Sequence, residues 1–172
     1  MVIWATPLYK FLKYCNDSPL DKTVLDCGAG GDDPPLQLFY ECGYETFGVE
    51  VAENPFRQAK KFCREHCTEL NIMKGDMRHL SFKNASFSFV YSLNAIFFMT
   101  KKDIKLSIKE IERILKVAAN MDLVCLINRS KPPALPGRLS EFDIFGNIRK
   151  PLIREPLLAH RTRGFQCKIF KL

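Results

Sequence analysis

Between residues 23 and 128 short β-rich runs alternate with amphipathic helical segments, and few architectures accept that alternation. The β-rich runs are 23–28 (TVLDCG), 45–51 (ETFGVEV), 70–76 (LNIMKGD), 87–93 (FSFVYSL) and 121–128 (MDLVCLIN). Before the first of them, Leu8, Phe11, Leu12 and Cys15 recur three and four apart, which predicts a helix over 6–15. A second helix is predicted over 35–42, with Asp32 or Asp33 as its cap, Pro34 in its first turn and Gly43 as its stop. A third spans 54–67, with Asn54 as cap and Pro55 as first residue. The fourth, 102–116, carries a stripe of Ile104, Ile108, Ile111 and Leu115, and Thr100 caps it. Strands separated by helices cannot pair as hairpins, so the expected fold is α/β. It is a Rossmann-like, doubly wound, mostly parallel sheet with helices on both faces.

The chain has 172 residues, 47% of them hydrophobic, enough for one domain with a core of its own. No apolar run reaches the ~18 residues of a membrane span. The first 17 residues are interrupted by lysines too early for a signal peptide. Seven cysteines lie at 15, 27, 42, 63, 67, 125 and 167 without framework spacing, which predicts reduced thiols and a cytoplasmic protein. The net charge of +7 sits entirely in residues 129–172, which hold 10 basic and 3 acidic residues. That stretch also holds five of the ten prolines and no sustained period apart from a terminal strand at FQCKIFKL. The expected boundary therefore separates a domain at 1–128 from a basic, atypical segment at 129–172. A solvated end explains the basic tail better than a nucleic-acid module, because no aromatic interleaving or groove-reading motif accompanies it.

At residues 24–35 the first strand runs into the loop VLDCGAGGDDPP. Glycines at the carboxyl end of a first strand let main chain approach a ligand closely. A dinucleotide fingerprint needs G-x-G-x-x-G, and Gly28 and Gly30 fit it, but the third position is Asp33. Two adjacent acids before the helix would also repel a pyrophosphate. The loop thus argues against an NAD- or FAD-dependent oxidoreductase. It suits a cofactor that carries positive charge and no phosphate.

The same loop resembles motif I of the class I S-adenosylmethionine-dependent methyltransferases, acid-x-Gly-x-Gly-x-Gly. Asp26, Gly28 and Gly30 match; Asp32 stands at the last glycine, with Gly31 one place earlier. Four further segments resemble the family in order. GVEVAEN ends the second strand in Glu50, 22 residues after Gly28, where the family keeps an acid for the ribose hydroxyls. GDMRHLSF resembles its Gly-Asp segment, which implies that Asp76 meets the adenine amino group. SFSFVYSLNAIFFM resembles the strand with Phe-Asp-x-Val, with Ser88 in place of the Asp, and KEIERILK resembles the helix before the Lys-Pro-Gly-Gly turn. The resemblance covers about 23–116. The family then reads through Pro-Gly-Gly into strand five, a helix and an antiparallel strand pair; here VAAN replaces the turn. The C-terminal third is therefore expected to be divergent, truncated or out of frame relative to the family.

The resemblance implies S-adenosylmethionine as cofactor, held by Asp26, Gly28, Ala29, Gly30, Glu50, Val51, Asp76, Met77 and Asn94. Glu50 can accept both hydroxyls of a ribose diol, and Asp26 orders the loop or meets the amino group. Tyr91 and Phe98 are substrate-side candidates, and core packing competes for the run Phe97, Phe98 and Met99. No catalytic base is identified, and an amine or thiolate acceptor needs none. The expected activity is methyl transfer to a small-molecule acceptor, with no nucleic-acid or membrane partner. The alternative is a cofactor-binding, inactive methyltransferase-like protein. Cys63, His66 and Cys67 share a helix, but no second cluster accompanies them, so no metal is expected.

Overall fold

The computed structural model describes residues 6–116 and two further strands, Leu123–Asn128 and Gln166–Lys171. Helix α1 (Thr6–Asp17) precedes β1 (Thr23–Cys27), α2 (Leu36–Glu41), β2 (Glu45–Glu50), α3 (Glu53–Glu65), β3 (Ile72–Lys74) and β4 (Phe89–Leu93). A 3-10 turn (Ala95–Phe98), α4 (Lys101–Ile114), β5 (Leu123–Asn128) and β6 (Gln166–Lys171) complete the order. The expected turn at 117–120 and the proline-containing stretch 129–165 lie outside the described residues.

All strands join one sheet in the order β3-β2-β1-β4-β5-β6. The first five are parallel, and β6 runs antiparallel against β5, with Leu123 opposite Lys171 and Asn128 opposite Gln166. The end of the basic segment thus completes the sheet as its edge strand. Among the described residues one strand, not a pair, follows residue 150. The chain steps outward from β1 through β2 to β3 and then returns to the other side of β1 at β4. Strand order reverses there, and the crevice at such a reversal is where open α/β sheets bind ligands.

β1 has no polar face because both of its faces are covered. Val24 joins a core with Leu8, Phe11, Phe39 and Phe62 from α1, α2 and α3, while Leu25 and Cys27 join another with Ile104, Ile111 and Ile114 of α4. The period of two along the strand sends alternate residues into these two layers. The expected stripe of α4 is the buried one: Ile104, Ile111 and Leu115 are within the core and Ile108 is half-buried against it. Arg113 fastens this helix to the loop before β4, donating to Glu110 and to the carbonyls of Leu80 and Phe82.

The helix starts correct the sequence reading in two places. α2 begins after Pro35, which caps it without a side-chain bond, so neither Asp32 nor Asp33 is the cap. A residue before proline is disfavoured in helical backbone, so Pro34 cannot begin the helix. α3 begins at Glu53 rather than after Asn54, with Ala52 at the cap. The acid that binds the Ala52 N–H is Glu50, at 2.7 Å. Thr100 does cap α4, accepting from the Asp103 N–H. β3 is shorter than 70–76: Asn71 takes a left-handed φ of 49° before it, and after Lys74 the Gly75 N–H makes a last bond to the Glu50 carbonyl of β2. Among the described residues no helix is long and apolar enough to cross a membrane.

Candidate functional site

The loop after β1 is clamped by its neighbours. Gly28 and Ala29 donate their N–H groups to the Val49 carbonyl, and Gly31 donates to the Pro55 carbonyl. Gly28 has φ +109, and a Cβ there would lie 2.3 Å from that of Ala95. A Cβ on Gly30 would meet Pro55 at 2.5 Å and the Glu50 carboxylate at 2.6 Å. Both glycines are therefore required, one by close approach of the turn after β4 and one by close approach of the acid ending β2. Ser92 fixes that turn: its hydroxyl donates to the Cys27 carbonyl at 2.7 Å and accepts from the Ile96 N–H. Asn94 begins the turn in a left-handed conformation, φ 67°.

Glu50 faces the loop from the carboxyl end of β2. Its Oε2 accepts from the Gly30 N–H at 3.1 Å and its Oε1 from the Ala52 N–H. A carboxylate has about four acceptor positions, so each oxygen keeps capacity for a further donor. Ala29 is buried and Val51 is exposed beside this acid, and Met77 packs into the α4-side core.

Asp26 is fully buried at the end of β1, and neither carboxylate oxygen has a hydrogen-bond partner. Burial without a donor pushes its pKa up to about 8; the Tyr91 hydroxyl draws it down, and the Glu50 charge pushes it further up. Tyr91 stands opposite it in register on β4. Its hydroxyl is near enough to act electrostatically, but it too lacks a partner in hydrogen-bond geometry.

The substrate-side assignment of Tyr91 is corrected here. The ring has no exposed surface, stacks on Phe39 at 5.2 Å and meets Phe11 edge-on at 5.9 Å. It is a core residue whose hydroxyl stands near Asp26. Tyr91→Phe removes a hydroxyl that no protein group satisfies, so the urea midpoint should stay unchanged or rise. Phe98, by contrast, is 74% exposed at the end of the 3-10 turn, while Phe97 and Met99 pack against the core.

Asp76 follows β3 and is already engaged. The Arg78 N–H and Nε–H reach its Oδ1 at 2.9 and 3.0 Å, and Nε and Nη2 reach its Oδ2. This pairing holds the Asp76 carboxyl below its ordinary range. Arg78 also donates to Asp103 of α4 at 3.1 Å. Its role was not legible in the sequence, although it stands two residues after the acid. Ser88, in place of an acid, is tied to Thr23, which donates to its hydroxyl and accepts from its N–H. His66 stacks on Phe62, and among the described residues no group of three or more His, Cys, Asp or Glu gathers.

Residues 24–118, a little over half of the chain, match the family described as methyltransferase domain. The chain belongs to that family. Solved structures give the same fold. A protein of Pyrococcus horikoshii OT3, PH0226, is 22% identical with a TM-score of 0.62, over 72% of this chain and 56% of that one. A SAM-dependent methyltransferase from Methanosarcina mazei is 24% identical with a TM-score of 0.56, over 69% and 57%. The geranyl diphosphate C-methyltransferase of Streptomyces coelicolor A3(2), solved with Mg2+, geranyl diphosphate and S-adenosyl-L-homocysteine, is 15% identical with a TM-score of 0.57, over 70% and 44%. The chain thus spans about half the length of the solved structures it matches. A comparison with curated proteins finds no match.

Proposed function

We propose that this methyltransferase domain binds S-adenosylmethionine across the carboxyl ends of β1, β2 and β4 and transfers its methyl group to a small-molecule acceptor. The observation that carries the reading is the glycine cradle closed by Glu50. Gly28 and Gly30 stand where side chains would collide, and the acid closing on Gly30 retains acceptor capacity for a ribose diol. The Asp26 carboxyl, buried and without a donor, has acceptor capacity for an ammonium that reaches it, and a group without phosphate has no quarrel with Asp32 and Asp33.

The cofactor supplies an electrophilic sulfonium methyl; the protein supplies binding and orientation. Gly28, Ala29 and Gly30 let main chain pass beneath the methionine portion. Asp26 holds its amino group, Glu50 the ribose, and Asp76 the adenine amino group, with Val51, Met77 and Asn94 around them. Phe98 lies on the acceptor side. Residues 1–128 carry these groups, and 129–172 form the divergent segment, which ends in the edge strand β6 of the same sheet.

The test is calorimetric titration of S-adenosylmethionine and S-adenosylhomocysteine into the wild type and Glu50→Ala. The wild type should bind both, and the variant should bind about tenfold or more weakly, as loss of charge-assisted bonds requires. Glu50→Gln, which keeps the acceptor to Gly30 or Ala52, separates ligand contact from loop support. No binding by a folded wild type would overturn the proposal.

A further inference from the structure

We propose that Arg78 competes with the adenine base for Asp76, and that Asp103 is the carboxylate to which Arg78 withdraws when the cofactor binds. The proposal rests on the cofactor reading above. Three N–H groups of one residue converge on the two Asp76 oxygens, with the side-chain Nε–H shared between them. A carboxylate has about four acceptor positions, and a guanidinium lying side-on occupies its open edge. The adenine amino group therefore cannot reach Asp76 by simple addition; a side-chain bond from Arg78 has to yield.

The surroundings make such a release workable. The Arg78 side chain is 37% exposed, so the guanidinium has room and solvent to move. Its Nη1 already bonds Asp103, on the first turn of α4, so release from Asp76 does not strand a cation. Asp103 is itself anchored, its Oδ2 accepting from the Thr100 hydroxyl at 2.8 Å. Asp76 also keeps support that does not depend on the Arg78 side chain. The backbone N–H of residue 78 donates to its Oδ1, and its own carbonyl accepts from the His79 N–H. Removing the guanidinium thus removes a competitor and leaves the acid in place. The cation also couples the base edge to α4, directly after the turn that bears Phe98.

The experiment titrates S-adenosylhomocysteine and its hypoxanthine analogue, S-inosylhomocysteine, into the full chain and four variants. Arg78→Met should bind S-adenosylhomocysteine threefold to tenfold more tightly and discriminate more strongly against the inosine analogue, which lacks the amino group. Arg78→Gln, the milder change, should move in the same direction. Asp103→Asn takes away the alternative partner and should bind a few-fold more weakly. Opposite signs from two members of one network are what competition requires; a purely structural network would weaken binding in both. Weaker binding by Arg78→Met and Arg78→Gln, with melting temperatures near wild type, would overturn the proposal. So would wild-type affinity in Asp76→Ala, which lacks any acceptor for the amino group; that result would leave the cofactor reading standing. A wild type that binds neither ligand would overturn both.

Discussion

Gly28→Ala should lower the stability of the fold by ~2–6 kcal/mol, and Gly30→Ala should weaken cofactor binding by more than about tenfold in a protein that still folds. The two glycines fail differently. At Gly28 the backbone holds φ +109, a region that costs other residues ~1–3 kcal/mol. The added Cβ would also lie 2.3 Å from Ala95, and overpacking of that kind costs a further ~1–3 kcal/mol. At ~2–4 °C per kcal/mol for a chain this long, the melting temperature should fall by roughly 4–24 °C. Gly30 carries no such backbone strain. Its Cβ would strike the Glu50 carboxylate at 2.6 Å and Pro55 at 2.5 Å, so the acid has to leave the loop. The Pro55 ring cannot swing aside as the carboxylate can, so the loop also has to shift against α3, and calorimetry should show S-adenosylhomocysteine binding weakened by more than in Glu50→Ala. Gly31→Ala is the control, with φ +117 and open space around its Cβ. It should cost stability through backbone strain and leave Glu50 in position. Wild-type binding by Gly30→Ala would mean that the cradle does not hold the ligand.

The sheet was legible in the sequence because strand residues and helix stripes are local patterns with different periods. Thr100 was legible for the same reason: a cap acts on an N–H three residues away. The missed caps were local too, but of a less familiar kind. Glu50, at a strand end two residues upstream, takes the Ala52 N–H, and Pro34–Pro35 shift a helix start that the preceding acids were expected to set. The candidate site divided differently. The spacing of glycines and acids marked Asp26, Gly28, Gly30 and Glu50, because main-chain approach leaves a trace in residue type. Tyr91 left no such trace. An aromatic in a strand reads alike whether its hydroxyl meets substrate or, as here, stands beside a buried acid under Phe11 and Phe39. Arg78 was hidden for a related reason. A cation two residues after an acid is common in loops, and only the turn at His79 and the position of α4 bring both Asp76 and Asp103 onto it.

Asp26→Asn should stabilise the ligand-free protein near pH 8 and weaken cofactor binding at the same time. The Asp26 pKa in the fold is about 8, against about 3.8 for an ordinary aspartate. Below pH ~4 both states of the chain carry the proton, and the group adds no pH dependence. Between pH ~4 and ~8 the unfolded chain has lost it and the folded one keeps it. Stability therefore falls as pH rises through this window, by ~1.4 kcal/mol per unit, or on the order of 5 kcal/mol in all. An amide at this position does not titrate, so the variant should lose that slope. A buried amide still has a desolvation cost, which reduces the expected gain at pH 8 to ~3 kcal/mol. Urea melts of both proteins at pH 4 and pH 8 measure the difference. Cofactor binding should respond in the other direction. An ammonium beside Asp26 favours the ionised acid, so binding by the wild type near pH 7 should release a proton. Calorimetry in buffers of different ionisation enthalpy detects that release. The variant should release none and bind about tenfold more weakly, having lost the charge that meets the ammonium. A residue whose removal strengthens the fold and weakens the ligand is kept for the ligand. If Asp26→Asn were instead the less stable protein at pH 8, Asp26 would be ionised and satisfied within the fold, and its place in the cofactor site would fall.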